Sequence, residues 1–206
     1  MKILVSGASG FIGRNLIKFL KHLDCEIITI CMFQKDLTSL AMQIEHLENQ
    51  LQKIEPQICD VHTFIHLAWL GTNDWNSSVH KNINTQLSEY LIKRLSSGGI
   101  EHVIVAGTCL EYGVSGGNLS EILPVKPKNE YALAKYALYE SLRIMANKDG
   151  FELSWLRLFY IFGGDQPSIT IYGSMMEHII RGKTTFNMSS GQQVRDYLHI
   201  DTVCQM

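Results

Sequence analysis

The chain has 206 residues, 46% hydrophobic and 18% charged, enough for one complete domain and part of a second. A formal net charge of −2 provides no basic surface, so nucleic acid is not an expected partner. No apolar run approaches a membrane span, and the opening Met1-Lys2-Ile3-Leu4-Val5 is broken by Ser6 and Gly7 where a secretory signal would continue, so no membrane association and a cytoplasmic location are expected. The five cysteines, Cys25, Cys31, Cys59, Cys109 and Cys204, are odd in number and form no CxxC pair; they read as reduced thiols.

In chain order, Lys2–Ser6 reads as a strand and Gly10–Leu23 as a helix. Glu26–Met32 is a second strand, its Ile27-Ile28-Thr29-Ile30 run suited to burial on both faces. A third short strand is expected near Ile44–Glu48. His62–Leu67 is a fourth strand, followed by a polar loop and then a helix over Val79–Leu95 that Gly98-Gly99 ends. Glu101–Ala106 is a fifth strand, Asn129–Asn147 a long helix ended near Gly150, and Phe151–Phe159 a sixth strand before the Gly163-Gly164 break. Strands alternating with helices imply an α/β fold, a doubly wound parallel sheet of Rossmann-like type with strand order 3-2-1-4-5-6. On this reading residues 1–162 form a dinucleotide-binding domain, and residues 163–206 open a substrate-binding lobe that stops short.

Directly after the first strand stands Gly7-Ala8-Ser9-Gly10-Phe11-Ile12-Gly13, a GxxGxxG loop leading into an apolar helix. Gly7 permits the tight turn, Gly10 lets backbone N–H groups approach a pyrophosphate, and Gly13 lets the helix pack closely on the sheet. The free N–H groups at the helix start, with Phe11 and Ile12 among them, then face the phosphates. The second strand ends in Cys31-Met32-Phe33-Gln34-Lys35 without the acid that would hold the ribose 2′-hydroxyl of NAD. Arg14 and Lys35 could meet a 2′-phosphate, which favours NADP with NAD as the alternative; Lys35 also reads as a solvated loop lysine.

Tyr131-Ala-Leu-Ala-Lys135 opens the long helix, and its i, i+4 spacing puts both side chains on one face. A free tyrosine has a pKa near 10. An ammonium nearby is expected to lower it, so that Tyr131 can exchange a proton with a sugar hydroxyl or carbonyl. Thr108 follows the fifth strand at its carboxyl end, where ligands bind in open α/β sheets, and its hydroxyl can orient a substrate oxygen. A strand-end cap is the other reading of Thr108.

With GASGFIG (7–13), HLA (66–68), Asn82-Ile-Asn84, GTCLEYG (107–113), YALAK (131–135), LRLFYIFG (156–163) and RDYLHID (195–201), the chain resembles the extended short-chain dehydrogenase/reductases, the NAD-dependent epimerase/dehydratase family of nucleotide-sugar enzymes. The resemblance implies Thr108, Tyr131 and Lys135 as a catalytic triad, Ala68 and Asn82 beside the cofactor, Tyr160 near the nicotinamide and the sugar, and Arg195 facing the nucleotide diphosphate. It also implies a homodimer formed through the outer faces of the two long helices. The family's dehydratase branch carries Asp-Glu after the threonine; Cys109 and Leu110 stand there instead, which favours 4-keto reduction or 4-epimerisation over loss of water. Family members continue beyond an RDYLHID motif, so a truncated substrate lobe is expected, and a non-catalytic cofactor-binding protein is the rival reading. His62 and His66, i and i+4 on a strand and thus about 13 Å apart, do not make a metal pair, and no metal site is expected.

Overall fold

Strand β1 (Lys2–Ser6) buries four of its five residues because it lies inside the sheet, with parallel neighbours on both sides. The computed structural model describes residues 1–113 and 117–206. After β1 come α1 (Phe11–Leu20), β2 (Glu26–Ile30), α2 (Leu40–Ile58) and β3 (Thr63–His66). A π-helical turn (His80–Thr85) then runs into α3 (Gln86–Ser96), followed by β4 (His102–Ala106), a 3-10 turn (Cys109–Tyr112), α4 (Glu130–Asp149) and β5 (Glu152–Leu156). The chain closes with β6 (Tyr160–Phe162), α5 (Ile171–Ile180), β7 (Tyr197–His199) and α6 (Ile200–Gln205). The main sheet is parallel throughout, in the order β2-β1-β3-β4-β5, and β6 and β7 form a separate parallel pair.

Apolar side chains cover the sheet in two layers. On one side Leu4, Phe64, Val103 and Val105 pack with Leu47 of α2, Leu87 and Leu91 of α3, and Leu138 and Leu142 of α4. On the other, Ile3 and Val5 pack with Leu16 and Leu20 of α1 and with Ile200 and Cys204 of α6. The end of the stretch expected to open a second lobe thus packs against the first domain. Asp165 ties the intervening turn to α1 by accepting from Arg14 Nε at 3.0 Å and Asn15 Nδ2 at 3.1 Å. Among the described residues no helix is long and apolar enough to cross a membrane.

The strand expected at Ile44–Glu48 is instead the middle of α2. Ser39 caps that helix by accepting the Met42 N–H, and Gln43, Leu47 and Leu51 are buried at steps of four, which is helical rather than alternating burial. Gln43 Nε2 also donates to the carbonyls of Gln34 and Leu37, fixing the loop after β2. The sheet therefore has five strands and β2 is its edge, while the expected order of the remaining strands holds. The sixth strand is shorter than the expected Phe151–Phe159: β5 stops at Leu156, and a separate strand, Tyr160–Phe162, follows in the small sheet.

The helical register of α2 can be checked by chemical denaturation. Leu47 is fully buried and Met42 is 45% exposed. Leu47→Ala is expected to lower the unfolding free energy by about 2–5 kcal/mol, and Met42→Ala to change it by less than about 0.5 kcal/mol. Equal effects would contradict the helical assignment.

Candidate active site

At the carboxyl end of β1 the chain turns sharply through Gly7, whose φ is +77°. A Cβ placed there would come within 2.6 Å of the Ala68 nitrogen, so only glycine lets this loop lie against the segment after β3. A Cβ at Gly13 would collide with the Gly7 carbonyl, and its absence lets α1 start directly over the loop. Gly10 is the N-cap of α1 and brings no side chain to it, so the first N–H groups of the helix are left to the cleft that Gly10, Phe11, Ile12 and Gly13 line.

A buried chain of hydrogen bonds holds this edge of the sheet. Ser88 Oγ donates to the Asn84 carbonyl at 2.6 Å and so accepts from His66 Nε2 at 2.9 Å. His66 Nδ1 is then an acceptor for the Ser6 hydroxyl at 2.7 Å. Burial pushes His66 down to about 3, as expected for a neutral ring whose two nitrogens are both occupied.

Opposite the glycine loop stand Tyr131 and Lys135, in a cleft of about 360 Å³ that Trp69 and Phe159 also line. Asn129 caps α4 through the Ala132 N–H, so Tyr131 falls in the first turn, and its own N–H donates to the Trp75 carbonyl at 2.9 Å. The Tyr131 ring meets Trp69 and His80 edge-on, with centroids at 6.1 and 5.3 Å. Trp69 Nε1 donates to His80 Nδ1 at 3.0 Å, and His80 Nε2 in turn donates to the Asp74 carbonyl at 2.8 Å. Lys135 Nζ donates to the Ala106 carbonyl at 2.7 Å and sits 3.7 Å above the Trp69 ring. Thr108 is buried at the end of β4, forms a capping box with Glu111, and lies close enough to Tyr131 for its hydroxyl to favour the phenolate.

Burial dominates the electrostatics. It pushes Tyr131 up to about 12, against the Thr108 hydrogen bond that favours the phenolate. It pulls Lys135 down to about 7, against the nearby Glu111 carboxylate. The expected lowering of Tyr131 by Lys135 is thus corrected: the amine points at Ala106 and Trp69, and the phenol is neutral at ordinary pH.

Gly7, Gly10, Phe11, Ile12, Gly13, Tyr131 and Lys135 share the one cleft, with Thr108 buried beside Tyr131 and the Ala68 backbone against Gly7. Asn82 is not among them. The π-turn shifts the side-chain register, leaving Asn82 exposed and burying Asn84, which accepts from Leu70 N–H at 3.0 Å and donates to the Leu70 carbonyl at 2.9 Å. Tyr160 lies outside the lining, 37% exposed on β6, with the Arg195 guanidinium 5.4 Å from its ring centroid. Leu158, Phe159 and Ile161 face the cleft instead. Arg195 is exposed, yet near enough to favour the Cys109 thiolate, while burial raises that thiol overall. Trp69 and His80 carry no local sequence signal, whereas Glu111 has one in the Thr-x-x-Glu capping spacing. Among the described residues no group of three or more His, Cys, Asp or Glu side chains could hold a metal ion.

Comparison with known proteins bears on the family and the fold. The model of the NAD dependent epimerase/dehydratase family matches residues 3–206. The chain is 26% identical over 215 residues to dTDP-6-deoxy-L-talose 4-dehydrogenase (NAD(+)) of Aggregatibacter actinomycetemcomitans, covering 97% of this chain and 76% of that protein. It is 26% identical over 212 residues to GDP-6-deoxy-D-talose 4-dehydrogenase of the same organism, covering 100% and 68%. Among solved structures, UDP-N-acetylglucosamine 4-epimerase from Methanobrevibacter ruminantium, in complex with UDP-N-acetylmuramic acid, superposes with a TM-score of 0.79 at 22% identity over 99% of this chain and 70% of that one. UDP-glucuronic acid 4-epimerase from Bacillus cereus, in complex with UDP-glucuronic acid and NAD, gives 0.76 at 21% over 100% and 71%.

The depressed Lys135 pKa has a consequence for stability. From about pH 7 upward the folded chain holds this amine neutral, whereas the unfolded chain keeps it protonated up to the ordinary lysine range near 10.5. The unfolded state binds more protons in that window, so stability rises with pH there and the gain is lost on descent toward pH 7. Denaturation of wild type and Lys135→Met between pH 7 and 10 should isolate a rise on the order of 3 kcal/mol that the variant lacks. Parallel pH profiles would contradict the buried neutral amine.

Proposed function

The chain belongs to the NAD dependent epimerase/dehydratase family, and we propose that it is a nicotinamide-dependent oxidoreductase acting at the 4-position of a nucleotide-linked sugar, by reversible 4-keto reduction or by 4-epimerisation. One observation carries this reading: a single cleft has the bare N-terminus of α1 on one side and Tyr131 and Lys135 on the other. The two relatives described above are named as 4-dehydrogenases of nucleotide-linked 6-deoxy sugars, and the two solved structures as 4-epimerases.

The cleft fits a dinucleotide. A Cβ at Gly7 or Gly13 would fill the cradle, and the N–H groups at Phe11 and Ile12 suit a pyrophosphate. Lys135 would lie toward the nicotinamide end, and the bound nicotinamide would supply hydride exchange with the sugar carbon. The preference for NADP is revised to NAD. Arg14 is already engaged, its Nε 3.0 Å from Asp165 and its NH1 donating to the Ser9 carbonyl at 2.7 Å. Of the two cations considered for a 2′-phosphate, only the exposed Lys35 remains.

Tyr131 is the proton donor to a sugar ketone in this proposal. Its neutral, buried phenol suits that direction, and the same hydroxyl takes the proton back when a sugar alcohol is oxidised. Thr108 donates a hydrogen bond to the same sugar oxygen, and Arg195 offers its guanidinium to the diphosphate. Cys109 and Leu110 place no carboxylate beside Thr108, and Glu111 is turned into the protein, so loss of water is not part of the proposal.

The test is turnover with NAD and either dTDP-6-deoxy-L-talose or GDP-6-deoxy-D-talose, followed by absorbance of the reduced nicotinamide. Tyr131→Phe keeps the ring and removes the hydroxyl. It is expected to lower turnover by about 10²–10⁴ while leaving NAD affinity within about threefold. Full turnover in this variant would remove Tyr131 from the reaction.

A further inference from the structure

Glu111 is fully buried, carries a carboxylate, and does not line the cleft. Three donors converge on it. Oε1 accepts the Thr108 N–H at 2.8 Å, the Trp155 indole N–H reaches Oε1 and Oε2 at 3.0 and 3.1 Å, and Arg157 Nε donates to Oε2 at 2.9 Å. Arg157 is held in turn, its NH1 donating to the Tyr112 hydroxyl at 3.2 Å and the Glu121 carbonyl at 3.3 Å. The approach depends on Gly107: a Cβ there would collide with the Trp155 indole and lie 2.9 Å from Glu111 Oε1.

We propose that Glu111 is a positioning residue that fixes Thr108 from behind the sheet and so aims the Thr108 hydroxyl into the cleft; the proposal rests on the role given to Thr108 above. The capping box grips Thr108 at two points. Its N–H is held by Glu111, and its Oγ1 accepts the Leu110 N–H at 3.3 Å. That acceptor bond occupies one lone pair and leaves the hydroxyl hydrogen free to donate, with Tyr131 among the groups in its reach. Trp155 and Arg157 lie on and just beyond β5, so the carboxylate also ties the end of β4 to its neighbouring strand. A displacement of Thr108 by even an ångström degrades alignment with the reacting oxygen, which lowers turnover more than binding.

Two readouts test this. In the ligand-free protein, Glu111→Val removes the acceptor of the Thr108 N–H, so that amide should exchange with deuterium at least about tenfold faster, while amides of α1 keep their rates. Glu111→Gln retains an acceptor oxygen and should restore most of the protection. In the turnover assay with dTDP-6-deoxy-L-talose and NAD, Glu111→Val should lower kcat by about 10–100-fold, with KM changed far less, and should add nothing in a Thr108→Val background. Where Glu111→Val alone is too unstable to fold, Glu111→Val with Arg157→Met leaves no unpaired buried charge and carries the same readouts. An unchanged Thr108 amide, or losses from Glu111→Val and Thr108→Val that add, would overturn the proposal. Full turnover in Thr108→Val would instead overturn the role of Thr108 itself, and this inference with it.

Discussion

The backbone of Gly7 lies so close to that of Ala68 that no side chain fits between them, and this contact brings the carboxyl ends of β1 and β3 to one point. In a parallel sheet every strand delivers its following loop to the same edge. β1 brings the glycine loop, β3 brings Trp69, and β4 brings Thr108. The Ser6–His66–Ser88 chain secures the junction from inside without a formal charge. Helix α4 then crosses this edge and sets Tyr131 and Lys135 opposite the loop. The cleft is therefore a product of sheet topology, with its chemistry supplied by a few side chains at strand and helix ends.

Burial also decides the charge state of those side chains. Tyr131, Lys135 and His66 all shift toward their neutral forms, and desolvation is the largest cause for each. Aromatic and carbonyl partners replace some of the lost hydration of Lys135 but do not reverse the shift. Glu111 is buried as well, and its carboxylate meets the Arg157 guanidinium and two N–H groups, the partners that a buried acid requires. The cleft thus holds its phenol protonated and its amine close to neutral.

Much of this could be read from the sequence because local chemistry and fold agree there. Gly7, Gly10 and Gly13 sit where only glycine fits or where bare backbone is needed, and Tyr131 and Lys135 are adjacent on one helix, so spacing alone put them together. The failures have physical causes. Ile44–Glu48 is apolar enough for a strand, but the burial of Gln43, Leu47 and Leu51 shows helical spacing that a five-residue window cannot separate from alternation. Asn82, which the family resemblance implied, is exposed, and within the π-turn it is Asn84 that is buried, a difference of register that residue spacing in the sequence does not reveal. Trp69, His80 and Glu111 act through partners remote in sequence, such as Lys135 and Arg157, and no local pattern announces such pairings.

The central claim is that the glycine loop and the start of α1 form the dinucleotide site that faces Tyr131. Calorimetric titration of NADH into wild type and Gly10→Val tests it most directly. A valine at the cap would put two methyl groups where phosphate oxygens must approach the helix N–H groups. The account predicts binding to wild type and at least about tenfold weaker binding to the variant, corresponding to about 1.4 kcal/mol or more, with the fold intact. Equal affinity in the two proteins, or no binding to wild type, would contradict it.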